Sequence, residues 1–131
     1  MKPASPHSCD PEACPLVAGW QQSLAAAGPA AHALLAAIAS DHAPALAAHF
    51  YKVMLNDSRA SRSMSHDQVR VRLQPAMQRW LTGLLGATPD DVEQLLAAQR
   101  VIGDVHARVG IPVDLVTRGT RVLKQRIFSL I

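Results

Sequence analysis

The chain has 131 residues, of which 49% are hydrophobic and 18% charged, and this composition excludes an intrinsically disordered protein. Aromatic residues make up only 4%, while alanine, the best helix former, is abundant, so an all-α domain is favoured over a β-sandwich or barrel. The net charge of +3 comes without a dense run of lysine and arginine, so we expect no nucleic-acid partner.

The N-terminal segment, residues 1–15, is rich in proline and is expected to form a flexible arm outside the folded domain, residues 16–131. It contains both cysteines, Cys9 and Cys14, whose role the spacing leaves open. The segment lacks the apolar core of a secretory signal, and we find no apolar stretch of about 18 residues that would span a membrane. We therefore expect a cytoplasmic protein with reduced cysteines and no membrane partner.

Helical sequence begins after this arm. We expect a first helix over residues 16–27, which Gly28–Pro29 ends, and further helical sequence over residues 30–55. Pro44 interrupts the second stretch, and two helices meeting at an angle near residues 40–41 are the favoured arrangement.

A polar corner over residues 56–65 separates this region from the next helix. That helix is expected to end at Gly86 and to bend at Pro75. Its apolar residues repeat at helical spacing: Val69, Leu73, Met77, Trp80, Leu81, Leu84 and Leu85.

Two further helices follow. Thr88, Pro89 and two aspartates are typical of a helix start, and this helix is expected to run to Val109, where Gly110 stops it. The last helix opens at Pro112 and continues to the end of the chain.

One histidine lies on an apolar helix face. At about 100° per residue, His106 falls near the centre of a stripe formed by Val92, Leu95, Leu96, Gln99, Ile102, Gly103 and Val109. Periodicity alone favours a core histidine bonded to a backbone carbonyl, and the alternative is a ligand to a metal or cofactor. Gly103, one turn earlier, favours the ligand because it leaves room for a flat group against the helix.

The single tyrosine also lies on an apolar helix. Tyr51 follows Phe50, and an inward tyrosine would need a partner for its hydroxyl group. From the residues alone, a tyrosine at the rim of the core is the simpler interpretation. The sequence contains no zinc spacing around His106, no nucleophile elbow, no phosphate-binding loop and no dinucleotide fingerprint.

The most specific pattern is the run Val105–Pro112, which resembles the proximal segment of bacterial globin-coupled sensors, and most closely the haem sensor domains of diguanylate cyclases. Further stretches agree with that family in the same order: His49–Val53, Gln68–Trp80 and Arg121–Lys124. The resemblance covers residues 30–131 and implies a globin-like, all-α sensor fold.

The resemblance implies a role for each matched residue. His106 would be the axial ligand of haem b iron, and Tyr51 would hydrogen-bond to O2 on the opposite face. Leu73 and Met77 would form an apolar wall on that side, and further haem contacts are expected from Phe50, Ile102 and Val109. The chain would thus be an oxygen sensor domain, which could also bind CO and NO. It would form a homodimer through its last helix.

The sequence departs from the family pattern in three respects. Ser63 stands where a phenylalanine usually packs on the haem. The final globin helix is expected to be missing, and so is the cyclase region, so the chain itself would not be an enzyme while its parent would make cyclic di-GMP. Two alternatives stay open: a haem-free helical dimerisation or signalling module, and a haem enzyme such as a nitric oxide dioxygenase-like globin.

Overall fold

The computed structural model describes residues 14–131, which contain helices and no strand, so the all-α prediction is confirmed. The predicted arm lies outside the described residues except for Cys14 and Pro15, which belong to the first helix. Cys14 is disulfide-bonded, which corrects the expectation of reduced cysteines, and Cys9 lies outside the described residues. The helices are α1 (Cys14–Leu55), α2 (Ser58–Ser63), α3 (His66–Gln68), α4 (Gln74–Leu85), α5 (Val92–Val109) and α6 (Val113–Ser129).

Helix α1 is one continuous element apart from a break at Gly28, whose φ of 83° and ψ of 167° are not helical. This break was predicted, and His32 donates from Nε2 to the Leu24 carbonyl across it, 2.6 Å away. The predicted second break near Pro44 is wrong, because the helix continues through it. Pro44 is exposed, and so is Ser40, whose carbonyl the proline ring crowds. The helix can therefore tilt that carbonyl toward water and keep its buried face straight.

By length and composition alone, α1 could cross a membrane, whereas no such stretch was predicted from the sequence. Only 11% of the 18-residue apolar stretch that meets this criterion is buried inside the protein. The second half of α1 carries the buried face of the helix. Its buried residues are Ile38, Ala39, Ala43, Leu46, Ala47, Tyr51 and Met54.

Residues 66–85 form a single helical rod in which the hydrogen-bond register changes once. Ser65 starts it with a capping box, since its hydroxyl accepts from Gln68 N and the Gln68 side chain accepts from Ser65 N. A π segment, Val69–Leu73, lies just before the predicted bend, and Gln74 N donates to the Val69 carbonyl. The backbone hydrogen bonds thus span one residue more than in an α-helix just before Pro75, which itself cannot donate a backbone hydrogen bond.

The core consists of two apolar clusters on either side of Phe50, which packs against both. The first contains the buried residues Ile38, Ala43, Leu46, Leu81 and Leu123, and the second contains Met54, Ala60 and Leu115. These clusters hold α1, α4 and α6 together, and so fix the helix that carries Phe50 and Tyr51.

An ion network ties the corner after α1 to the start of α6. Asp57 caps α2 by accepting from Arg59 N at 2.9 Å, and it pairs with the guanidinium groups of Arg59 at 3.1 Å and Arg118 at 2.9 Å. Arg59 also pairs with Asp114. The hydrogen bonds from Arg59 lower the pKa of Asp57 to about 2.

We predict that this network makes the fold sensitive to acid. Because the pKa of Asp57 lies below its ordinary value of 3.8, its carboxylate stabilises the fold above that value, and this contribution is lost as the pH falls toward about 2. Asp57→Asn keeps a capping side chain but removes the charge. We expect a lower melting temperature at neutral pH and a smaller loss of stability on acidification than in the wild type.

Thermal unfolding followed by circular dichroism from about pH 6 to about pH 2 tests this prediction. Asp67→Asn is the matched control, since its ion pair with Arg70 is highly exposed, with side chains 88% and 77% accessible, and contributes little. An Asp57→Asn variant with the full acid sensitivity of the wild type would contradict the assignment.

Candidate functional site

Tyr51 is buried in the last turns of α1. Only 9% of its surface is exposed, and its ring meets that of Phe50 edge-on, with centroids 4.9 Å apart and planes at 88°. Burial raises the pKa of the phenol, so the hydroxyl group stays protonated and can donate a hydrogen bond. That hydroxyl makes no hydrogen bond to another described residue and is not one of the buried polar atoms that lack a partner, so it is a donor that a ligand can reach.

Leu73 and Met77 lie one turn apart on the rod that crosses α1. Leu73 ends the π segment and Met77 belongs to α4, and both side chains are half-buried. Met77 packs against the first core cluster, as Phe50 does. Such a change of register inside a helix is common at functional sites because it re-aims the side chains around it.

His106 lies near the C-terminal end of α5 and has one ring nitrogen committed to the backbone. Its Nδ1 donates to the Ile102 carbonyl at 2.9 Å, and the described residues supply no partner for Nε2. A neutral imidazole that donates from Nδ1 presents a lone pair at Nε2, which is the state that binds a metal ion. The carbonyl bond of the first interpretation therefore exists, and because it leaves Nε2 without a partner among the described residues, the second interpretation stays a prediction.

The end of α5 is locked by a glycine cap. Gly110 has a φ of 80° and a ψ of 31°, a left-handed conformation that favours glycine, as its place in the sequence predicted. This turn lets Ile111 N donate to the His106 carbonyl at 3.0 Å, and the Ile111 side chain packs against the second core cluster. The cap thus anchors the backbone of His106 to the bundle.

The apolar stripe of α5 is only partly covered by protein. Of the 18 residues in this helix, Val92 is the single fully buried one, while Ile102 and His106 are half-buried and Val109 is 55% exposed. A Cβ added at Gly103 would meet no atom within 4 Å. The helix therefore presents an apolar face with room beside it, which fits a large, flat, apolar cofactor next to Nε2 of His106.

The contacts of the described residues join the predicted site residues into two groups. Phe50, Tyr51 and Met77 belong to the packed body of α1 and α4, and Ile102 and His106 are linked on α5. Among the described residues, no cluster of His, Cys, Asp or Glu forms a conventional metal site, so His106 is a single-residue candidate.

The corner that carries Ser63 is partly filled by its neighbour. Ser63 ends α2 and is exposed, whereas Met64 turns inward and packs against the cluster of Met54, Ala60 and Leu115. A sulfur side chain thus occupies part of the core at the corner where the family pattern has an aromatic ring.

Gly119 on α6 is a residue whose importance sequence reasoning missed. No role was predicted for it, but it is buried directly against the ring of Phe50. The available signal was the cost of glycine inside a helix, roughly 1 kcal/mol relative to alanine, which usually indicates a packing reason.

The apolar residues of α6 divide into a packed set and an exposed set. Val122 is half-buried, and Ile127 and Leu130 pack against the first core cluster. Three apolar side chains near the ends of residues 113–131 are exposed: Val113, Phe128 and Ile131 are 81%, 65% and 66% accessible.

The chain is similar to globin domains of known proteins. A family model described as Protoglobin matches residues 24–131. The diguanylate cyclases DosC of Shigella flexneri and of Escherichia coli (strain K12) are each 40% identical over 112 residues, which is 86% of this chain. The chain spans 29% and 24% of the lengths of these two relatives.

The solved structures agree with the sequence comparison. The crystal structure of the globin domain of E. coli DosC in its ferric form superposes with a TM-score of 0.84 at 38% identity, covering 88% of this chain and 78% of that one. The ferrous form gives a TM-score of 0.83 with the same identity and coverage. The helical body and these matches lead to one conclusion: the chain belongs to the protoglobin family.

Proposed function

We propose that this chain is the haem b-binding, oxygen-sensing domain of a protein whose output domain is a diguanylate cyclase. Membership of a globin family implies haem binding. The observation that carries the proposal is the hydrogen bond from Nδ1 of His106 to the Ile102 carbonyl, which leaves Nε2 free to bind iron. When bound, haem would supply an iron atom that takes up a diatomic gas.

The apolar side chains of the site would exclude water and hold the macrocycle. Ile102 and Val109 on α5, together with Leu73, Met77 and Phe50 on the body of the bundle, are the candidates for this role. An apolar setting slows the oxidation that water and protons promote, and it also favours reversible gas binding over an enzymatic use of the haem.

Tyr51 would discriminate between gases by donating its hydroxyl hydrogen. The bond from Tyr51 would be charge-assisted for a gas that takes on partial negative charge, as O2 would, whereas CO is less polar and would gain less from the same donor. Because the donor is used only in the liganded state, it supplies the differential free energy that a sensor requires.

The structural change on gas binding would pass through α6 to the output domain. This helix packs against Phe50 at Gly119, and its exposed apolar residues Val113, Phe128 and Ile131 are suited to a homodimer contact. In the whole protein we expect a cytoplasmic dimer in which gas binding changes cyclic di-GMP synthesis by the output domain.

Haem titration of the purified chain tests the proposal. We expect an equimolar amount of haem to saturate the protein, with a sharpened Soret band, and the ferrous form to change its visible spectrum on addition of O2 and of CO. A spectrum identical to that of free haem would contradict the proposal and favour a haem-free signalling module.

A further inference from the structure

The ring of Phe50 approaches the backbone of α6 more closely than a side chain at position 119 would allow. A Cβ added at Gly119 would lie 2.8 Å from Cε2 and 3.2 Å from Cζ of Phe50, and 3.8 Å from Sδ of Met54. The first of these distances is well inside van der Waals contact between carbon atoms. Because the obstructing atoms belong to a rigid ring, a methyl group at this position must displace either the ring or α6.

The same ring is in contact with the candidate gas-binding residue. Phe50 meets Tyr51 edge-on, with ring centroids 4.9 Å apart, and it packs against both core clusters. Gly119 is buried, although α6 is exposed along much of its length. A continuous line of contacts therefore runs from the α6 backbone at Gly119 through the Phe50 ring to Tyr51.

We propose that Gly119 is a positioning residue for Tyr51 and acts through the Phe50 ring. The spacing between α6 and α1 would then determine where the Tyr51 hydroxyl lies, and so how strong a hydrogen bond it donates to the gas. This inference rests on the proposed function only for its last step, the use of the Tyr51 hydroxyl by a gas. The mechanical step from Gly119 to Tyr51 is a property of the chain itself.

The mechanical step can be measured because Tyr51 is the only tyrosine in the chain. Ultraviolet titration of tyrosinate therefore reports this residue alone, with the Tyr51→Phe variant as the blank. We expect Gly119→Ala to move the titration midpoint down toward the ordinary value, since a displaced Phe50 ring no longer shields the phenol from water. Gly83→Ala is the matched control, because a Cβ there would meet only Leu95 Cδ2 at an ordinary 3.9 Å.

A second variant separates this positioning role from simple destabilisation. Gly119→Ala combined with Phe50→Leu removes the ring atoms that obstruct the new methyl group, so we expect it to regain part of the melting temperature that Gly119→Ala loses. Gly119→Ala should also release O2 several-fold faster while the release of CO changes less.

The outcomes distinguish this inference from the proposed function. An unchanged titration midpoint in Gly119→Ala overturns the inference, whatever happens to gas binding. A lowered midpoint with unchanged O2 release supports the link from Gly119 to Tyr51 and contradicts the role of Tyr51 as a donor to the gas.

Discussion

Replacing His106 with alanine should abolish stable haem binding. The substitution removes the side chain proposed as the axial ligand, and alanine offers no atom that binds iron. Changes in the outer shell of a metal site already cost about 10- to 100-fold in affinity, so loss of the ligand itself should weaken haem binding by more than about 100-fold. Haem titration followed in the Soret band measures this directly.

The fold should survive the substitution, because His106 is half-buried and takes no part in either core cluster. Helix content by circular dichroism should therefore match the wild type in the absence of haem. His66→Ala provides a control in which an exposed histidine is lost, and it should leave the haem titration unchanged. If His106→Ala holds haem with the wild-type spectrum, the assignment of the axial ligand is wrong.

Tyr51→Phe should weaken O2 binding by about 10- to 100-fold. Loss of a charge-assisted hydrogen bond costs roughly 1.5–3 kcal/mol, and the phenylalanine ring keeps the shape and the edge contact with Phe50. Burial raises the pKa of Tyr51, so the wild-type hydroxyl stays protonated through neutral pH. The difference in O2 affinity between the wild type and Tyr51→Phe should therefore stay constant across that pH range.

The comparison of two gases makes this prediction specific. Stopped-flow measurement of O2 and CO release from the ferrous protein should show a large increase for O2 and a small one for CO. Equal changes for the two gases would indicate a general disturbance of the pocket and would contradict hydrogen bonding by Tyr51.

Local sequence signals predicted the helix ends of this fold well. Gly28 breaks α1, Asp91 accepts from Thr88 at the start of α5, and Gly110 ends α5, because each of these acts within one turn of the chain. Pro44 was misjudged, since its tolerance depends on which face of α1 is exposed, and that is decided by the tertiary packing. The π segment before Pro75 was not predicted for the same reason.

The site itself was predicted to a lesser degree. Periodicity placed His106 on an apolar face, and only the resemblance to globin-coupled sensors assigned it to a cofactor. The sequence did not identify the acceptor of its Nδ1, which is the Ile102 carbonyl, and the exposure of Val109 depends on how far α5 stands from the bundle. The close approach of Gly119 to Phe50 joins residues far apart in sequence, which no local pattern could indicate.

The most direct test of the account is whether free imidazole can replace the ring of His106. The measurement is the visible spectrum of His106→Gly protein with equimolar haem, recorded with and without imidazole. We predict that the variant alone fails to give the wild-type Soret band and that imidazole restores it, because the ligand re-enters the space left beside α5. A wild-type spectrum without imidazole, or no recovery in a variant whose helix content is intact, would contradict the claim that His106 holds the haem iron.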